Sequence, residues 1–329
     1  MPPLLEIEDL HLKFKLYEGI SHVLNGLSLS VERGTRVAIV GESGCGKSVT
    51  ARIILGLLQQ RNATISGSLR FDGQEMLKSG RQLQRSLRGR RISMIFQDPS
   101  AALNPVFTVG DQLTTAIMRG GRAKKRKAAY VLAREALSQV HITDPDRVLG
   151  SYPFQLSGGL NQRILITMAL VNRPDLVLAD EPGTALDVTV QEQTLRLMKN
   201  LTQEAGAAVL LITHNLGVVR EFAHRVYVMY AGSIVEEADV DTLFRDPQHP
   251  YTRSLIAAVP RLTGAGLPKA IEGVIPDYTD PPAGCRYHPR CEFARQECQT
   301  KPAVADLGGG HRVACVLSQD AKPKELVDG

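Results

Sequence analysis

Two short stretches hold residue types that together could bind and cleave a phosphoanhydride. GESGCGKS at 41–48 has the form GxxxxGK[ST]. Gly41, Gly44 and Gly46 allow the backbone to curl so that successive N–H groups face phosphate oxygens. Ser43, Cys45 and Val49 fill out the loop and the first turn of the helix that follows, whose positive end adds to the same anion site. Lys47 brings a full charge for the β- and γ-phosphates, and the Ser48 hydroxyl is placed for Mg2+. LVLADEP at 176–182 is an apolar run ending in two acids. Asp180 can hold Mg2+ through water, and Glu181, one residue on, is the natural general base for an attacking water.

These residues need a scaffold that brings them to one edge. Arg36–Val40, Ile92–Phe96, Leu176–Ala179 and Val209–Thr213 read as short buried strands, and a helix opening at Gly46 carries Ile53, Ile54, Leu57 and Leu58 inward. Such strands separated by helices indicate an α/β core with a largely parallel sheet. Leu5–Phe14, Ile65–Phe71 and Arg225–Glu236 alternate differently, and Ala231–Gly232–Ser233 marks the last as an antiparallel hairpin. Residues 98–162 lack strand patterns and read as a helical insert. After 245 the texture turns proline-rich. The expected organisation is a nucleotide-binding unit at 1–244 with that insert, followed by a loop-rich appendage at 245–329.

LSGGLNQR at 156–163, beside GESGCGKS, resembles the signature of ATP-binding cassette (ABC) proteins, and the resemblance covers nearly all of residues 1–240. It implies a P-loop fold with a RecA-like core, an antiparallel β subdomain and a helical subdomain. Under it, Gln97 resembles the glutamine that senses Mg2+, the γ-phosphate and the transporter contact. Ala185–Leu186–Asp187 resembles the loop that crosses the dimer interface. His214 resembles the switch histidine on the γ-phosphate. Phe14 resembles the aromatic that stacks on adenine, with Tyr17 as the competing candidate. Ser157, Gly158 and Gly159 would open a helix facing a nucleotide held by another subunit, so two cassettes must close head-to-tail around ATP. FQDPSAALNP, YPFQLSGG and especially QHPYTRSLIAAVP resemble the ATPase subunits of dipeptide and oligopeptide importers. That family implies a second ATPase subunit, two permeases and an extracytoplasmic solute-binding protein, with the ATPase peripheral at the cytoplasmic face of the membrane. Gly183 stands where the family usually has Thr, and Asn215 where it usually has Asp.

The net charge of +5 and pI of about 9.0 invite a nucleic-acid partner. The densest basic run, Arg122 with Lys124 to Lys127, instead opens an amphipathic pattern with Tyr130, Leu132, Leu137 and Val140 inward, and no aromatics interleave it to stack bases. No nucleic acid is therefore expected; the alternative is a soluble ABC ATPase that remodels nucleic acid or ribosomes. The start of the chain lacks a signal-peptide pattern, and no apolar run approaches membrane-spanning length. Four of the five cysteines follow Cys285-x5-Cys291-x6-Cys298-x16-Cys315. In a reducing compartment such a group suggests a metal site, and the spacing alone leaves zinc and iron–sulfur open. CRYHPRC resembles a segment of some dipeptide-importer ATPases that carries a [4Fe–4S] cluster, so that cluster is the expectation and Zn2+ the alternative.

Overall fold

The computed structural model describes residues 2–58, 62–183, 188–259 and 271–319. The strands are β1 (Leu5–Lys15), β2 (Ile20–Val31), β3 (Arg36–Val40), β4 (Ala63–Phe71), β5 (Gln74–Glu75), β6 (Ile92–Ile95), β7 (Leu176–Asp180), β8 (Ala208–Thr213), β9 (Arg225–Tyr230), β10 (Ser233–Asp239), β11 (Ala305–Asp306) and β12 (Arg312–Val313). They form two sheets. The larger runs β11-β12-β10-β9-β3-β8-β7-β6, and the smaller runs β2-β1-β4-β5.

Within the larger sheet β9, β3, β8, β7 and β6 are parallel, while β10 and β12 join antiparallel. The central strands are apolar throughout because both faces are covered. Side chains alternate across a pleated strand, and here each parity enters a different core. Ala38, Val40, Val177, Ala179, Val209 and Leu211 pack towards the helices. Val37, Ile39, Leu176, Leu178, Leu210 and Ile212 pack against Leu5, Ile7, Leu27 and Phe71 of the small sheet. Burying each such valine, leucine or isoleucine stabilises by about 1.5–3 kcal/mol.

Between β6 and β7 the described chain is helical, from Pro99–Ala102 to Gly158–Leu170. Asp98, Thr108, Asp144 and Ser157 each accept a hydrogen bond from the first turn of the helix they precede. This is the usual way such helices start. The helix Arg126–Gln139 buries Ala129, Ala133 and Leu137. Tyr130, expected inside, is exposed, and Arg126 pairs with Asp111. Leu57 is also exposed. The helix that was to carry it ends at Ile54, and Gly56 follows in the left-handed region at φ 62°. The β9–β10 turn, Ala231–Gly232, has φ of 43° and 86°, which supplies the expected hairpin. β2 was not anticipated; register shifts in its pairing with β1 break the alternation that would have revealed it.

The chain beyond residue 245 is built onto this frame. β12 pairs with β10, extending the large sheet, and Tyr251 and Tyr287 enter the core on the helical side. Among the described residues no helix is long and apolar enough to cross a membrane.

Candidate nucleotide site

In open α/β sheets, ligands sit outside the carboxyl ends of the parallel strands. The residues expected to carry the chemistry lie there. The glycine-rich loop leaves β3, Asp180 ends β7, His214 follows β8 and Gln97 follows β6. The register makes these ends level, since Val40 pairs with Thr213, Asp180 with Ile212 and Ile95 with Ala179.

The loop's shape depends on glycine at two places. A Cβ on Gly41 would lie 2.1 Å from the Met229 carbonyl oxygen, and one on Gly46 within 3 Å of both Met229 Cε and Leu24 Cδ2. Both residues also have positive φ. Gly46 precedes the helix Lys47–Ile54 with no side-chain cap. Ser43 and Gly44 are exposed, whereas Cys45 is buried and Ser48 and Val49 half-buried. Burial raises the Cys45 thiol, so it is a small neutral filler. Lys47 is almost buried, and its Nζ donates to the carbonyls of Gly41 (2.7 Å) and Glu42 (2.9 Å).

Ser48 Oγ donates to Asp180 Oδ1 at 3.0 Å. Asp180 is buried, and desolvation raises its carboxyl above the ordinary range, opposed by the Ser48 hydrogen bond. A buried carboxylate beside a hydroxyl is a pair of hard oxygen donors of the kind Mg2+ takes. The residues present therefore fit that ion.

Glu181 lies beyond Asp180 with φ 48°, uncommon outside glycine, and its N–H donates to the Ile212 carbonyl at 2.8 Å. Its carboxylate lies 2.8 Å from His214 Nδ1. Glu181 is largely covered, while the His214 ring is half exposed. Such a backbone conformation costs about 1–3 kcal/mol. Asn215 caps the helix Leu216–Phe222, accepting from the N–H groups of Gly217 and Val218. That cap needs an oxygen and no charge, so asparagine serves as well as aspartate. Gly183 has φ 100°, a conformation glycine adopts without strain.

Gln97 is exposed at the end of β6. Phe14 is half-buried against the small-sheet core, while Tyr17 in the β1–β2 turn is fully exposed. Ser157 and Gly158 are exposed, with Gly159 beside them, at the start of the helix Gly158–Leu170. Asp187, with Ala185 and Leu186, lies outside the described residues.

The expected [4Fe–4S] cluster, and its zinc alternative, must be corrected. Among the described residues no group of three or more His, Cys, Asp or Glu side chains is placed to hold a metal ion. Cys285, Cys291, Cys298 and Cys315 do line one cavity, with Phe293, but its volume is about 10 Å3. That is room for no more than about one water. Burial pushes the Cys285 thiol up to about 11 and raises Cys291 and Cys315. The thiols pack as small hydrophobes. Spacing showed that the cysteines could meet, but not how much space they would leave.

Several residues that touch the loop were not among the expected site residues. The Glu42 N–H donates to Tyr251 Oη at 2.9 Å, and Arg290 Nη1 donates to Glu42 Oε2 at 2.7 Å. Tyr278 Oη donates to the Gly44 carbonyl at 2.8 Å. Tyr251 lies in QHPYTRSL and Arg290 in CRYHPRC, so the signal was present in those strings.

Residues 24–184 match the family model described as ABC transporter, and residues 235–298 match the oligopeptide/dipeptide transporter C-terminal region. The chain is 47% identical over 322 residues to a probable peptide ABC transporter ATP-binding protein of Sinorhizobium fredii, covering 96% of each chain. It is 44% identical over 331 residues to the dipeptide transport ATP-binding protein of Bacillus subtilis, covering 99% of this chain and 98% of that one. Among solved structures it resembles a dimeric ATP-binding cassette in a post-hydrolysis state bound to ADP and phosphate. There the identity is 28% and the TM-score 0.64, with 72% of this chain and 98% of that chain covered.

Proposed function

The chain belongs to the ATP-binding proteins of ABC transporters, and from that premise we propose that it powers the import of di- or oligopeptides. Its substrate is ATP, which it hydrolyses to ADP and phosphate. It works as a peripheral subunit at the cytoplasmic face of the membrane, with two permeases, a solute-binding protein and a second cassette. The names of its relatives and the match at 235–298 support the peptide class.

The observation that carries the mechanism is the Glu181–His214 contact at 2.8 Å, level with the Ser48–Asp180 pair. The N–H groups of residues 44–48 and the Lys47 ammonium receive the phosphate chain. Ser48, Asp180 and Gln97 would hold Mg2+, which when bound neutralises charge on the phosphate oxygens. Glu181 takes a proton from a water that attacks the γ-phosphorus while the bond to the bridging oxygen breaks. His214 orients Glu181 and reaches the γ-phosphate. Phe14 or Tyr17 stacks on adenine. Ser157 and Gly158, exposed at a helix start, and Gly159 beside them act on the nucleotide of the opposing cassette. Loss of the γ-phosphate then releases the closed dimer. The unit at 1–244 performs this cycle, with 245–329 added to it.

Proteoliposomes holding the two permeases provide the test. ATP hydrolysis is expected to rise when peptide-loaded binding protein is added. Stimulation by DNA or ribosomes, with none by the permeases, would refute import.

A further inference from the structure

The loop at 41–48 is held from outside by residues far along the chain. The Tyr278 hydroxyl donates to the Gly44 carbonyl at 2.8 Å, and the Gly232 N–H donates to the Cys45 carbonyl at 2.9 Å. In a trans peptide the N–H points opposite to the C=O. Fixing these two carbonyls outward therefore fixes the N–H groups of Cys45 and Gly46 inward. The Cys45 N–H does point into the loop, 3.3 Å from the Glu42 carbonyl oxygen.

Glu42 is held on three sides. Its N–H goes to Tyr251 Oη, its carbonyl receives Lys47 Nζ, and its carboxylate takes both Nη1 (2.7 Å) and Nη2 (3.1 Å) of Arg290. Arg290 is itself held in place by several contacts. It is 6% exposed, donates to the carbonyls of Glu272 and Ile271, and lies over the rings of Tyr230 and Tyr287. A bidentate guanidinium–carboxylate pair in such surroundings fixes direction as well as distance. Arg286 secures the neighbouring anchor, since its Nη1 donates to the His22 and Ala231 carbonyls and its guanidinium lies over the Tyr278 ring.

We propose that Tyr278 and Arg290 are positioning residues for the nucleotide: acting through Gly44 and Glu42, they hold the phosphate loop in its N–H-presenting curl. ATP affinity is thereby set in part from the C-terminal segment, outside the pocket. The proposal rests on the reading of 41–48 as the ATP site.

The test uses the full chain, with equilibrium ATP binding, steady-state kinetics and thermal melting measured on each variant. Wild type comes first; failure to bind ATP would sink the ATPase reading itself. Tyr278→Phe removes one hydroxyl and is expected to weaken ATP binding about 5-fold, the worth of one net hydrogen bond. Arg290→Gln should weaken it about 10-fold or more, with Arg290→Lys restoring part of the loss. Because neither residue touches Glu181 or His214, KM for ATP should rise while kcat at saturation stays within about 3-fold. Glu42→Gln combined with Arg290→Gln should be no worse than either alone. If Arg290→Gln does not fold, Tyr278→Phe and Arg290→Lys decide the matter. Wild-type KM in both, at unchanged melting temperature, overturns the proposal. So does a fall in kcat with KM unmoved.

Discussion

Replacing Glu181 by Gln should separate binding from chemistry. The carboxylate accepts from His214 Nδ1 at 2.8 Å, and the amide oxygen of Gln can accept the same hydrogen bond. The backbone strain at φ 48° is common to both residues. Stability should therefore change by no more than about 1 kcal/mol, a melting shift of about 2 °C in a chain of this size. ATP affinity should hold, since Lys47, Ser48 and Asp180 are untouched. What disappears is the proton acceptor. A positioned general base contributes about 10²- to 10⁴-fold, or about 3–5 kcal/mol of barrier. Single-turnover hydrolysis of radiolabelled ATP measures that step directly. Size-exclusion chromatography with ATP should also show a persistent dimer. Turnover within about 3-fold of wild type at saturating ATP would remove Glu181 from the role of base.

Gly41→Ala places a Cβ 2.1 Å from the Met229 carbonyl oxygen at φ 154°, and should cost about 3 kcal/mol and abolish ATP binding, read by urea melts and nucleotide titration. Burial raises the Asp180 carboxyl, so the folded chain keeps that proton to higher pH than the unfolded chain, and the stability it contributes is lost as pH rises through the raised value. Asp180→Asn should consequently melt higher than wild type near neutral pH without nucleotide, with the gap closing towards about pH 4, while losing Mg2+-dependent ATP binding. A lower melting temperature at neutral pH would contradict this. Asn215→Ala should lose about 1 kcal/mol with the cap of Leu216–Phe222, whereas Asn215→Asp should stay within about 0.5 kcal/mol; equal melting curves for the two would show that the cap contributes nothing.

The parts of the fold that were legible are those whose signal is local. Arg36–Val40 and Leu176–Asp180 are apolar because both of their faces are buried, and no neighbour in sequence can disguise that. The loop at 41–48 announces itself because phosphate binding demands glycine, lysine and a hydroxyl at fixed spacing. Legibility failed where two effects competed. Leu57 continues a helical spacing, yet Gly56 ends the turn before it. β2 is half solvated and bulged, so its pattern slips against the period of two. The cysteines failed for a different reason: spacing gives proximity, but a cluster needs volume, and volume is set by the other side chains that line the cavity, His249 and Pro250 far back in the chain among them.

The strings HPYT and HPRC beyond residue 245 resemble segments of peptide-importer ATPases, and the structure supplies a physical reason for their composition. His249 is fully enclosed, burial pushes it down to about 3, and its neutral Nδ1 accepts from the Tyr251 N–H at 3.0 Å. Its own N–H donates to Glu236 Oε2, which ties this turn to β10. The helix Pro250–Ala257 is thereby started at the point where Tyr251 Oη meets Glu42. Arg290 reaches the same glutamate from a different turn. Two separate pieces of the C-terminal segment thus converge on one residue of the phosphate loop, which a merely appended domain would have no reason to do. The chemistry of this site is written within a few residues of each motif, but the shape of the loop that performs it depends on side chains more than 200 positions away.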